Sequence, residues 1–321
     1  MLSRIANNLY WAGRNLERME HIARFVPVNY FASLDGPAEM DTQYTLSNIN
    51  SMAGSASTDE TLNQSKVLGN VAFDKTNPSS LISCALFVRE NFRGTQDFIS
   101  SELWEAVNSL YHFVHSIDEK KYLESGMSEF MLKVQGAVAL CKAKIDSTLI
   151  HNQGWSVIKI GVLLERSFQI DRIIQLKMTD EQMLGISKGS LIANEYGNLL
   201  KSLEAYDMNR KYYKKPVNKH RALEFLIFNQ KFPRSLAFCL YELQERLEDL
   251  SLDKKGKTNS VNFIVKNLVN ELFYCHMDDI KGEESEYLDK IQSKIIEINQ
   301  ILISNYFAYE FPTPSQTQSQ S

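Results

Sequence analysis

The sequence contains little glycine and proline, with 14 glycines and 7 prolines among 321 residues. These residues punctuate strands and turns, so their scarcity disfavours a β-rich fold. Apolar residues instead recur at alternating steps of four and three from Ile5 to Val26, which is the spacing of an apolar stripe on a helix. Strand-like alternation is sustained nowhere. The sequence therefore predicts an all-α fold, a large helical bundle.

Cysteine is also scarce: there are four, far apart, and no CxxC pair occurs. This excludes a zinc knuckle or a thioredoxin-type redox pair, and scattered cysteines in apolar helices suit a reducing compartment. The N-terminus lacks the unbroken apolar region of a signal peptide, and no stretch reaches the roughly 18 apolar residues of a membrane span. We therefore expect a cytoplasmic protein that does not bind membranes.

A basic surplus is missing, because 35 Lys and Arg residues stand against 39 Asp and Glu residues. This disfavours general nucleic-acid binding, which needs cations to neutralise phosphates. No Walker A, GxGxxG or GxSxG motif supports ATP hydrolysis or serine-type acyl transfer, and no cofactor is predicted. His112, His115 and Glu119 could share one helix face, but no fourth ligand is indicated, so we predict no metal site.

Low-complexity and polar segments indicate how the chain is organised. We predict one helical domain over residues 1–310 and a disordered tail over residues 311–321, FPTPSQTQSQS. Residues 34–78 are polar and irregular, which indicates a long connection that holds short helices. Pro27 predicts a kink or an end of the first helix near residue 26.

An internal repeat links residues 9–26 to residues 157–174, at a shift of 148 positions. It favours a duplicated helical unit with halves of about 1–150 and 151–310. The identical pairs are Gly13 and Gly161, Leu16 and Leu164, Glu17 and Glu165, Arg18 and Arg166, Ile22 and Ile170, and Arg24 and Arg172.

Each copy of the repeat carries an adjacent Glu-Arg pair. The pair Glu165-Arg166 lies in a segment that is apolar nearly all round, which is typical of a buried helix. Buried ions need partners, because an unpaired charge in a low-dielectric interior costs several kcal/mol. We therefore predict a pseudo-symmetric cluster around Glu17 and Glu165; solvated faces with weak local ion pairs are the alternative. The candidate donors are Arg18, Arg166, Arg24 and Arg172.

The opening segment MLSRIANNLYWAGRNLERMEHIAR resembles that of the bacterial alpha-E family, a helical domain named for a Glu-Arg motif. The likeness recurs in family order at residues 89–111, 154–172 and 223–240. The resemblance implies an all-helical domain that accompanies a circularly permuted ATP-grasp ligase-like protein and a transglutaminase-like cysteine peptidase. It thereby implies a role in making or modifying a peptide-like product.

The resemblance also implies a set of binding residues or a buried charge cluster, with no catalytic residue assigned. Val162 stands where the family has an arginine and Phe168 where it has an acid, so the charge symmetry is incomplete. Arginine clusters favour bidentate capture of carboxylate or phosphate, whereas inter-helix salt bridges that fix the register are the other interpretation. The implied residues are Arg14, Glu17, Arg18, Arg24, Arg89, Glu90, Arg93, Glu102, Glu105, Glu165, Arg166, Arg172 and Arg234.

Three functional hypotheses follow. The first is a helical partner or substrate-presenting subunit of an ATP-grasp peptide-ligase-type system. The second is an enzyme that acts on a peptide-like or amino-acid substrate through a Glu/Arg cleft. The third is a small-anion or peptide-binding sensor. The sequence leaves open whether the chain is an enzyme.

Overall fold

The structure, a computed structural model, describes residues 2–34, 39–54, 61–183, 190–250 and 260–307. In this part of the chain all regular structure is helical, which confirms the all-α prediction. The helices are α1 (Ser3–Leu34), α2 (Glu39–Met52), α3 (Gln64–Phe73), α4 (Leu81–Arg93), α5 (Ser101–Ser116), α6 (Glu119–Lys121), α7 (Met127–Thr148), α8 (Gln153–Met183), α9 (Ser190–Ser202), α10 (Tyr206–Tyr213), α11 (Lys219–Phe228), α12 (Leu236–Asp249), α13 (Val261–Tyr274) and α14 (Glu284–Leu302). Among these described helices, none is long and apolar enough to cross a membrane.

Side-chain caps set the start of several helices. Ser80, Ser100 and Ser235 each accept a hydrogen bond from the backbone N–H three residues later, at 3.2–3.3 Å. Such caps satisfy donors that the first turn of a helix leaves without an intrahelical partner. The cap at Ser235 places Pro233 in the turn before α12.

Helices α1 and α8 form the centre of the bundle, and their backbones cross at two glycines. A Cβ atom on Gly13 would meet the carbonyl oxygen of Ile158, and one on Gly161 would meet that of Tyr10. Tyr10 and Ile158 are equivalent positions of the repeat, so the crossing is symmetric. Helix α1 also packs against α4 and α7, while α12 and α14 cover α8. The two helices therefore lie buried along most of their length.

A methyl group at this crossing is expected to separate the helices. We expect Gly161→Ala to lower the free energy of unfolding by about 1–3 kcal/mol, since the clash is with backbone that cannot rotate away. Gly136→Ala on α7 is the matched control, because no atom lies within 4 Å of its added Cβ. There the greater helix propensity of alanine should add about 0.5–1 kcal/mol. Urea denaturation measures both; equal effects would contradict a close crossing.

Helix α1 continues through Pro27 to Leu34, so of the predicted kink or end near residue 26 the end is wrong, while the kink stays a prediction. Proline has no N–H to donate to the carbonyl of Ala23, four residues earlier. Gln135 of α7 supplies a donor instead, because its Nε2 lies 2.8 Å from the Ala23 oxygen. A tertiary contact thus satisfies the acceptor that proline leaves open.

The segment 34–78 contains α2 and α3, of which α2 packs against α1 and α3 packs against α2 and α4. The predicted disordered tail, residues 311–321, lies outside the described residues. The division into halves of about 1–150 and 151–310 stays a prediction. The repeated segments of α1 and α8 meet at the crossing of these two helices.

Candidate functional site

The two Glu-Arg pairs exchange partners across the crossing of α1 and α8. Arg18 donates from Nε to Glu165 Oε1 at 2.8 Å and from Nη2 to Oε2 at 3.1 Å. Arg166 binds Glu17 in the same way, at 2.7 and 3.0 Å. These four side chains are called the exchanged ion pairs below. Both carboxylates are 0% exposed. Bidentate pairing fixes the relative orientation of the helices as well as their distance.

Glu165 is also bound by Arg14, whose position in the second copy is Val162, and by Gln169, the equivalent of His21 in the first copy. Arg14 donates from Nε to Glu165 Oε2 at 2.6 Å, and Gln169 donates to Oε1 at 2.8 Å. Arg14 donates to the Tyr10 hydroxyl at 3.0 Å, and this hydroxyl donates to Asn299 of α14 at 2.6 Å. The network therefore links the carboxylate of α8 to α14.

Glu17 is surrounded by a different set. Lys142 of α7 forms ion pairs with both Glu17 and Glu20. His21 Nε2 lies 3.2 Å from Glu17 Oε1, and burial lowers the pKa of His21, which favours its neutral form. Arg234 Nη1 lies 3.7 Å from Glu17 Oε1. This end of the cluster thus contains two carboxylates, Glu17 and Glu20, and three cations, Lys142, Arg166 and Arg234.

Arg24 and Arg234 form the rim of this end. The Nη2 atoms of both arginines lie 2.9 Å from Glu20 Oε1. The same two nitrogens contact Glu204, a residue between α9 and α10, at 3.0 Å and 3.2 Å respectively. The side chain of Glu204 is 52% exposed, whereas that of Arg24 is 5% exposed. The rim is therefore where the charge cluster reaches solvent.

The paired cations keep the buried carboxylates ionised. Burial alone would raise the pKa of Glu165, but Arg18 and Arg14 outweigh it and hold that pKa below its usual range. Burial likewise opposes ionisation of Glu17, yet Arg166 and Lys142 hold its pKa well below the usual value. The pKa of Glu20 is lowered to about 2 against burial and the neighbouring Glu17, by Lys142 and Arg234. All three groups carry full charge at neutral pH.

Five predicted site residues on α4 and α5 do not join this cluster. Arg89 and Glu90 on α4 pair at 3.1 Å on a partly exposed surface, and the Arg93 side chain is 60% exposed. Their positions flank the stripe of α4 that is buried, which explains their exposure. Glu102 and Glu105 lie exposed on α5. The five residues are Arg89, Glu90, Arg93, Glu102 and Glu105.

Arg89 instead connects α4 to α5. Its Nε donates to Asn108 Oδ1 at 2.9 Å, and its guanidinium lies 4.7 Å from the centre of the Tyr111 ring and 5.8 Å from that of Trp104. The segment 89–111, which resembles the family, thus packs α4 against α5 through these contacts.

Arg172 also lies apart from the glutamates of the repeat, although it was a candidate donor. Its guanidinium binds the backbone carbonyl of Ser51 and lies 3.3 Å from the Ser51 hydroxyl. Arg24, its equivalent in the first copy, binds Glu20 and Glu204 rather than Glu17 or Glu165. The exchange therefore uses only the arginine adjacent to each glutamate.

Phe168 stands where the family has an acid, and Asp171, three residues later, does not supply a carboxylate to the cluster in its place. Its Oδ2 accepts hydrogen bonds from Gln175 at 2.7 Å and from Gln292 of α14 at 3.0 Å. Burial raises the pKa of Asp171 well above its usual value. The carboxyl group belongs to the contact between α8 and α14 and not to the exchanged ion pairs.

Sequence reasoning missed Lys142, Glu204 and Asn299. A single lysine on an amphipathic helix has no recognisable signature, and Glu204 reaches the rim from a turn. Asn299 lies 285 positions from Arg14, its contact, so no local pattern connects them. Among the described residues, no group of three His, Cys, Asp or Glu side chains is arranged to hold a metal ion.

The curated relatives of this chain are longer proteins. Two uncharacterized proteins, one from Mycobacterium bovis and one from Mycobacterium tuberculosis strain CDC 1551, are each 20% identical to it over 334 residues. An uncharacterized protein from M. tuberculosis strain H37Rv is 19% identical. Each alignment covers 95% of this chain but 37% of the relative. The comparison with solved structures gave no match.

The family comparison agrees with the geometry. The Alpha-E family, described as a predicted alpha-helical domain with a conserved ER motif, matches residues 1–307. Glu17-Arg18 and Glu165-Arg166 are such Glu-Arg dipeptides, and they form the exchanged ion pairs at the centre of the fold. The chain belongs to the Alpha-E family.

Proposed function

We propose that this chain is a helical partner or substrate-presenting subunit of an ATP-grasp peptide-ligase-type system that makes or modifies a peptide-like product. The proposal of a non-catalytic role rests on one observation, that the exchanged ion pairs are closed to a substrate. Glu17 and Glu165 are 0% exposed, and arginine occupies both oxygens of each carboxylate. A substrate would have to displace these arginines to reach either group.

The electrostatics of the pairs also favour a structural role. A general acid or base works best when its pKa lies near the working pH. The pKa values of Glu17 and Glu165 are instead held low by their arginines, so neither group exchanges a proton near pH 7. The exchanged ion pairs are suited to holding α1 against α8, and chemistry is left to a partner.

The length of the relatives supports a domain that works beside other domains. This chain spans 37% of the relatives it matches, so they contain further chain outside the aligned part. The ATP-grasp ligase-like protein and the transglutaminase-like peptidase are the partners that the family resemblance implies. Since such a ligase consumes ATP, we place the complex in the cytoplasm.

A basic groove beside α9 and α10 is the surface that we assign to the partner. It has a volume of about 870 Å³, and its lining includes four cations, Arg210, Lys211, Lys214 and Lys215, but one acid, Asp207. The chain as a whole has a net charge of −4, so this concentration of positive charge is local. An acidic surface or a phosphate-bearing group would complement it.

Co-purification with the ATP-grasp protein tests the proposal. We expect a stable complex, and a lower rate of ligation when this chain is left out. Lys211→Glu together with Lys215→Glu should reduce binding at least tenfold, because the groove loses its charge. Lys120→Glu with Lys121→Glu is the control, with the same change in net charge at two exposed positions of α6. The proposal is wrong if no complex forms and ligation proceeds equally without the chain.

A further inference from the structure

Glu204 lies between the buried Arg24 and the partly buried Arg234, in a position that resembles that of a bound anion. Its Oε1 lies 3.0 Å from Arg24 Nη2, and its Oε2 lies 3.2 Å from Arg234 Nη2. One carboxylate thus bridges two guanidinium groups, which is the arrangement that favours recognition of carboxylate or phosphate.

The two arginines have hydrogen-bonding capacity that the described residues do not use. Nε and Nη1 of Arg24 and Nη1 of Arg234 are buried atoms without a hydrogen-bond partner in this part of the chain. Buried N–H groups of a cation are costly to leave unsatisfied. The Arg24 side chain is 5% exposed, so bulk water does not reach these donors. We infer that an additional acceptor binds inside the cluster.

The charge balance also favours an added anion. At this end of the cluster four cations, Lys142, Arg166, Arg24 and Arg234, are paired with Glu17, Glu20 and Glu204. If the Glu204 side chain rotates into solvent, the same four cations face two carboxylates. A ligand with one or two negative charges would restore the balance.

Glu204 is the member of the cluster that can leave most easily. Its side chain is 52% exposed, whereas Glu17 is fully buried and Glu20 is 7% exposed. Its backbone, with a φ of 53°, takes the left-handed conformation that is common just after a helix, and the Ala205 N–H donates to the Leu200 oxygen across this turn at 2.7 Å. Backbone hydrogen bonds thus fix the position of Glu204, while its exposed side chain can rotate away from the arginines.

We propose that Arg24 and Arg234 form a binding site for the carboxylate or phosphate group of a ligand, which Glu204 closes as a tethered competitor. Arg234 and Arg24 each bind one oxygen of the bridging anion, and Lys142 adds positive charge behind them. Glu20 stays in place and orients both arginines through its Oε1. The inference is independent of the proposed partner, because it concerns binding by this chain alone.

Calorimetric titration of the full chain with two probes tests the site. The probes are inorganic phosphate and the dipeptide Ala-Ala, and the C-terminal amide of Ala-Ala, which lacks the carboxylate, is the comparison. We expect Glu204→Gln to tighten binding about tenfold, which corresponds to a site that is open in roughly one wild-type molecule in ten. Glu204→Gly is the second variant, since glycine suits the left-handed backbone. Binding of phosphate would indicate a ligand with a phosphate group, and binding of Ala-Ala would indicate a ligand with a peptide carboxylate.

Two further variants decide between a site and a general charge effect. Glu129→Gln changes the net charge equally at an exposed ion pair on α7 and should leave both affinities unchanged. Arg234→Gln in the Glu204→Gln background should abolish the gain, with circular dichroism verifying that the fold is kept. The inference is overturned if neither Glu204 variant binds a probe saturably, or if Glu129→Gln tightens binding as much. Anion binding without a ligase complex would support this inference and contradict the proposed function.

Discussion

Glu165→Gln is expected to lower the free energy of unfolding by about 3–5 kcal/mol, because it leaves two arginines in a buried site without the charge that pairs them. Arg14 and Arg18 both bind the Glu165 carboxylate, and Arg18 does so through two nitrogens. Glutamine keeps the shape and one acceptor oxygen but removes the charge. Guanidinium denaturation followed by circular dichroism measures the loss.

Another Glu-Arg dipeptide in the same chain provides the control. Glu245 precedes Arg246 on α12 at a partly exposed position outside the exchanged ion pairs. We expect Glu245→Gln to change stability by no more than about 0.5 kcal/mol. Similar losses of stability in the two variants would contradict the prediction, because the buried ion pairs at the crossing would then contribute no more than an exposed Glu-Arg dipeptide. Retained ligase stimulation in a folded Glu165→Gln protein would also favour the structural role over the enzyme alternative.

Acid is expected to unfold the protein steeply between about pH 4.5 and pH 2. In the folded state the pKa values of Glu17, Glu20 and Glu165 lie below the ordinary glutamate value, with that of Glu20 at about 2. As pH falls below about 4.3, the unfolded chain takes up protons that the folded chain does not, so stability decreases. Three such groups give a slope of about 4 kcal/mol per pH unit. Urea denaturation at a series of pH values measures the slope.

Variants of single carboxyl groups show how much each group contributes to the dependence of stability on pH. In Glu165→Gln one of the three groups is absent, so the slope should fall by about a third. Asp171 acts with the opposite sign: its raised pKa gives stability that is present at low pH and decreases as pH rises through the folded value. Asp171→Asn should therefore leave the slope intact below about pH 3.9 and should not lower it at higher pH. A stability that stays flat from pH 5 to pH 3 would contradict the low pKa values.

The helical class and the importance of the repeated Glu-Arg dipeptides could be predicted because both are local patterns. Periodicity shows which faces of α1 and α8 are apolar, and a charge in such a setting needs a partner. Which arginine pairs with which glutamate was not decided locally. Arg18, Arg24, Arg166 and Arg172 were equally available as donors, and only the crossing selects Arg18 and Arg166.

The crossing itself depends on two glycines whose role no periodic pattern reveals. Gly13 and Gly161 were visible as identities of the repeat, but their function is to let backbone meet backbone. Pro27 is the opposite case, because the helix does not end there and Gln135 of α7 donates to the carbonyl that proline leaves open. Local preferences are weak compared with a tertiary contact that satisfies a buried polar group.

The sequence by itself determined that this chain is helical, that it belongs with the Glu-Arg family, and that two of its helices carry charges into apolar surroundings. The tertiary structure alone decided that the glutamates exchange arginines, that Lys142 and Asn299 complete the network, and that Glu204 stands between Arg24 and Arg234. The reason is physical: helix formation follows from spacings of three and four residues, whereas ion pairing depends on distances between segments that lie far apart in the chain.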